Sequence, residues 1–121
     1  MTSTALKTVR DYFNAWNSNN FEKAASCLSE HIVIETPINS YSTKNQFMEA
    51  VKFTAEAVSS LQLLAEFGNK DEAILLYDMT LSPIGSLRIA EYFKVEDEKI
   101  TMIRHIHDTA EMRKAGFERK G

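Results

Sequence analysis

The sequence predicts an α+β fold, with three N-terminal helices packed on a curved antiparallel sheet. Two observations predict it. Apolar residues recur with helical period in the first half of the chain, and β-branched and aromatic runs separated by turn residues fill the second half. Helices segregated to one side of a meander leave one sheet face for a core and the other for solvent or a partner.

The first helix is predicted over residues 4–18, where Leu6, Val9, Phe13 and Trp16 make one apolar, partly aromatic stripe with Tyr12 beside it. Ser3 or Thr4 can cap its start, and Asn17-Ser18-Asn19-Asn20 ends it, because short polar side chains compete for backbone hydrogen bonds. FEKAASCL is a second helix, opened by Asn19 with Glu22 three residues on. A short β-branched strand, His31 to Thr36, stops at Pro37. Thr43 and Gln46 form a capping box for a third helix, about residues 44–59, whose face carries Phe47, Val51, Thr54, Ala55 and Val58. Strands follow at Leu61–Phe67, Ala73–Leu81, Ser86–Val95 and Ile100–Asp108, with turns at 68–71, 82–85 and 96–99. Residues 1–108 are read as one domain and 109–121 as a polar tail, in which Arg113, Lys114, Arg119 and Lys120 outnumber the acids.

Composition narrows the function. At 121 residues and 44% hydrophobic, the chain can bury one real core. A net charge of −3 with scattered basic residues argues against nucleic acid as a partner. No apolar run is long enough to span a bilayer, and the N-terminus has a helical pattern instead of that of a secretory signal, so no membrane association and a cytoplasmic location are expected. The lone Cys27, in EKAASCLSE, reads as a small packed residue and cannot form an internal disulfide.

Pairing the last hairpins proposes a site. With tight turns at 84–85 and 97–98, Asp78 lies opposite or diagonal to Glu91, Glu91 lies beside His105, and Ile89 beside His107. Alternation then puts Ile74, Leu76 and Asp78 on one face with Leu87, Ile89, Glu91 and Phe93, and with Ile103, His105 and His107. Because a one-residue slip inverts a whole strand, this register depends on the turns. Asp78, Glu91 and His105 are the candidate acid/base residues of an apolar enclosure, able to move protons near neutral pH. Spacing alone favours the plainer alternative, a cross-strand network in which Glu91 holds His105. Tyr12 and Trp16 read as core residues first and pocket residues second. Arg88, Tyr92 and Arg104 fall on the opposite face, and His31 at an exposed strand end. His105-Ile106-His107 puts two rings on one face, but without a zinc-type spacing no metal is assigned, and the absence of a glycine-rich fingerprint leaves no cofactor assigned.

Two stretches, VRDYFNAWNSNNFEKAASCLSEHIVIETP and RIAEYFKVEDEKITMIRHIHD, resemble the NTF2-like (cystatin-like) superfamily, in particular its SnoaL-like branch, over Val9 to Asp108. The resemblance implies a cone-shaped fold around a pocket for a small hydrophobic molecule. It also implies a homodimer through the outer sheet face, for which Tyr92, Ile106, Leu75, Tyr77 and Met79 are available. The superfamily uses the cavity for isomerisation, cyclisation, dehydration, hydrolysis or binding alone. Against the ketosteroid isomerase pattern, Tyr12 matches the oxyanion tyrosine, but Thr36 stands at the catalytic base and Ile89 at the buried acid. That dyad is therefore missing. The Asp-Arg-Asp set of the related epoxide hydrolases is missing too, since the strand carrying Asp78 has no Arg-x-Asp. The expected pocket residues are Tyr12, Trp16, Thr36, Ile89, Phe93 and His107.

Overall fold

The apolar stripe of the first helix organises the core. In the computed structural model, which describes residues 4–37, 40–82, 84–108 and 110, α1 spans Thr4–Asn17 and buries Leu6, Val9, Tyr12, Phe13 and Trp16. Helix α2 is Phe21–Ser26, and α3 is Lys44–Ala57. The strands are β1 Leu28–Glu35, β2 Ser40–Tyr41, β3 Val58–Gly68, β4 Glu72–Leu81, β5 Gly85–Glu96 and β6 Lys99–Ile106. They form one sheet in the order β2-β1-β6-β5-β4-β3. From β3 to β6 the sheet is an antiparallel meander, whereas β1 joins β6 in parallel.

Several boundaries differ from expectation for local reasons. The cap of α2 is Asn20, whose side chain accepts from Lys23 N at 3.2 Å; its neighbour Asn19 takes a positive φ of 63°. Helix α2 ends at Ser26, because Cys27 is its C-cap and Leu28 is already buried as β1 starts. The α3 cap is Thr43 as expected, accepting from Gln46 N at 3.1 Å, but Gln46 Oε1 accepts from Ser42 N at 2.9 Å instead of closing on Thr43. The short β2 falls where only a turn was expected. The proposed cap Ser3, turn residues Asn39 and Pro83, and the tail after Asp108 lie, apart from Ala110, outside the described residues.

Registers decide which side chains meet. The β5–β6 turn is tight: Glu96 pairs with Lys99 around Asp97 and Glu98, both at positive φ, as a two-residue hairpin of the mirror-image type requires. A bulge then gives β6 one extra residue, Thr101, between its pairs Val95↔Ile100 and Lys94↔Met102. On β4 the expected face is inverted. Leu81 pairs with Gly85, so three residues connect β4 to β5, and Asp78 lies opposite Arg88 while Leu75 lies opposite Glu91. Ala73, Leu75, Tyr77, Met79 and Leu81 therefore face the core, and Leu75, Tyr77 and Met79 are not on the outer face as expected. Ile74 and Asp78 take the outer positions instead. Arg88 and Arg104 are exposed as expected, as is His31. Among the described residues, no helix is long and apolar enough to cross a membrane.

Candidate functional site

Between α1, α3 and the inner sheet face lies a cavity of about 310 Å³. Tyr12 and Trp16 reach it from α1, and Phe47, Val51 and Thr54 from α3. Tyr77 and Met79 reach it from β4, and Leu87, Ile89 and Glu91 from β5. Thr36, Tyr41, His105 and His107 complete one side. Phe53 lines the cavity yet is 64% exposed, which marks a mouth beside α3.

Glu91 is the chemical centre. It is 2% exposed, and a carboxylate so buried must be paired or hydrogen-bonded. Tyr77 Oη donates to its Oε1 at 2.7 Å, and His105 Nε2 lies 2.8 Å from its Oε2. Two neighbouring strands thus occupy one oxygen each. Burial lowers the affinity of the His105 imidazole for a proton, but the charge and hydrogen bond of Glu91 outweigh this and raise its pKa above the usual value. Tyr77 and Tyr12 are held well above the usual phenol value, first by burial and then by the Glu91 charge, so both are neutral donors near neutral pH. His107 goes the other way, lowered by burial and by His105 against the opposing effect of Asp108.

Of the expected acid/base residues, the fold brings Glu91 and His105 together and excludes Asp78. Asp78 forms a two-pronged pair with Arg88, Nε to Oδ1 at 2.8 Å and Nη2 to Oδ2 at 3.0 Å, on the outer face, and that pair holds its carboxyl below the usual range. Tyr77 occupies the place on β4 that Asp78 was expected to fill. Tyr12, Trp16, Thr36, Ile89 and His107 line the cavity as expected. Phe93 does not: it is fully buried behind the cavity wall, edge-on to Tyr12 with ring centroids 6.2 Å apart. The alternation places Phe93 on the correct face, but the helix packs over it.

Tyr41, Phe47 and Phe53 were missed as pocket residues. Tyr41 sits in the unexpected β2 and stacks edge-on against Phe47 at 5.6 Å. The helical spacing of Phe47, Val51 and Thr54 is the available signal for the α3 wall, and it also describes an ordinary core face. Among the described residues, no three His, Cys, Asp or Glu side chains are gathered to hold a metal ion. Cys27 is partly buried, and burial raises its thiol pKa, as a packed and unreactive cysteine requires.

The helix order, the curved sheet and the cavity between them define an NTF2-like α+β protein. Residues 9–103 match the SnoaL-like domain, and the chain belongs to that family. Among solved structures it is similar to a protein from Kribbella flavida DSM 17836, with a TM-score of 0.87 and 26% identity, covering 94% of each chain. An NTF2-like protein from Cytophaga hutchinsonii ATCC 33406 has a TM-score of 0.78 at 16% identity, covering 93% of this chain and 97% of that one. An LEH-like epoxide hydrolase of M. tuberculosis has a TM-score of 0.73 at 16% identity, covering 92% and 87%. At such identities the last two show the shared fold alone. No curated protein matches the chain.

Proposed function

We propose that this protein binds a neutral, hydrophobic small molecule in the cavity and carries out acid/base chemistry on it, of the isomerase, cyclase, dehydratase or hydrolase kind. The observation that carries the reading is a buried Glu91 bridging Tyr77 and His105 at the wall of a mostly apolar cavity. Glu91 favours the protonated form of His105, the form that can donate a proton to a developing oxyanion. No Lys or Arg lines the cavity among the described residues, which favours a neutral ligand over an anionic one.

The ketosteroid isomerase route does not fit, because Thr36 and Ile89 line the cavity where that route needs acids. The test is turnover of a compound found by thermal-shift screening. Glu91→Gln and His105→Gln should each lower kcat by about 100-fold or more. Unchanged turnover in both contradicts the acid/base role and leaves a binding protein. The outer sheet face supports assembly as a homodimer, since it presents Phe67, Ile74 and Ile106 to solvent, 69%, 43% and 61% exposed.

A further inference from the structure

We infer that His107, and not Glu91, is the proton acceptor of this pocket: the main-chain carbonyl of Asp108 holds its Nδ1 as a donor on a cavity-lining ring whose Nε2 has no hydrogen-bond partner among the described residues. The inference rests on the reading of the cavity as a small-molecule site. His107 Nδ1 lies 3.1 Å from the Asp108 carbonyl oxygen. A carbonyl oxygen only accepts, so Nδ1 carries the hydrogen, and in a neutral ring Nε2 is then unprotonated. Glu91 cannot take this role as it stands, because one oxygen accepts from Tyr77 and the other is engaged by His105.

The surroundings keep the ring neutral. Burial and the adjacent His105 lower its proton affinity, while Asp108 opposes them less strongly. The groups facing the cavity from other elements are Glu91 on β5, Tyr77 on β4, Tyr12 on α1 and Tyr41 on β2, and α3 contributes no titratable side chain to the lining. The two histidines thus divide the work. His105, tied to Glu91, is the protonated member, and His107 is the free base. In the step assigned to it, a proton leaves a C–H or O–H bond of the bound molecule for Nε2. The bonding pair stays on the molecule, which becomes an anion, and His107 becomes an imidazolium that can return the proton elsewhere.

The tautomer is read in the free protein by long-range 1H–15N NMR at pH 7. The Nδ1–H form with unprotonated Nε2 is expected at His107, and an Nε2–H form or a protonated ring overturns the inference whatever the pocket binds. The second arm uses 2-tetralone, a neutral apolar ketone with acidic C–H bonds, and follows its deuterium uptake from D2O. Asn at 107 keeps an amide donor for the Asp108 carbonyl but has no basic nitrogen, so exchange should be about 100-fold faster with wild type than with His107→Asn. The wild-type rate should rise with pH and level off below pH 6.5. If 2-tetralone raises the melting temperature but exchanges equally in both proteins, the base assignment fails and the pocket reading stands. If it changes neither melting nor exchange, both fail for this class of compound.

Discussion

Glu91 on β5 and His105 on β6 face each other directly, joined at 2.8 Å, although the hairpin that connects their strands does not by itself align them. Counting back from the Glu96↔Lys99 pair, a regular ladder sets Glu91 against Arg104. The extra residue at Thr101 shifts the strand by one and brings His105 inward. The buried acid and its histidine are therefore a product of the bulge as much as of the turn.

Because Glu91 is buried and His105 partly so, removing one partner leaves the other without its compensating contact. Glu91→Ala should destabilise the protein by about 3 kcal/mol, measured by urea unfolding at pH 6.

The pH dependence of that stability has a defined sign. The His105 pKa is raised in the folded protein above its ordinary 6.5, so its contribution is fully present below pH 6.5 and is lost as pH rises through the higher folded value. His105→Gln should therefore lose most, relative to wild type, on the acid side of that window, and the two melting curves should converge above it.

Tyr77 supplies the second donor to the carboxylate. Tyr77→Phe keeps the ring against Phe13, whose centroid is 5.0 Å away, and removes only the hydroxyl. A loss of about 2 kcal/mol is expected, as for other hydrogen bonds to a charged group. The same variant should weaken turnover without abolishing ligand binding.

Asp78 provides the contrasting case. It belongs to an exposed pair with Arg88, on the face away from the cavity. Asp78→Asn should leave turnover and ligand affinity at wild-type values, and a marked loss of either would return Asp78 to the site.

The outer face gives a separate prediction. Leu76, Ala90 and Ile106 lie in one cross-strand row, next to the row of Ile74 and Tyr92. Wild type is expected to sediment as a dimer and Ile106→Lys as a monomer whose cavity still binds ligand.

How far the site was legible follows from the faces of each strand. On β5, apolar Leu87, Ile89, Phe93 and Val95 alternate with Arg88 and Lys94, so the inward position of Glu91 can be read from sequence. On β6, inward Ile103 fixes the side of His105 despite the bulge. On β4, Ile74, Leu75, Leu76, Tyr77 and Met79 are apolar on both faces, and alternation carries no sign. A tight turn at 84–85 would set Asp78 inward against Glu91, and the three-residue connection to β5 turns it outward beside Arg88. The three helices, and the caps of α2 and α3, are readable to within a residue or two, because periodicity and capping are local. The α3 wall and the covering of Phe93 depend on how a helix lies across the sheet, which no local pattern records.

The proposed function depends first on an apolar molecule binding in the cavity. Thermal melting of wild type and of Ala50→Trp, which places a large ring in the α3 wall, tests it against a panel of neutral lactones, ketones, sterols and terpenoids. At least one compound is expected to raise the wild-type midpoint by about 5 °C or more and to leave Ala50→Trp unchanged. No rise with any compound, or equal rises in both proteins, contradicts it.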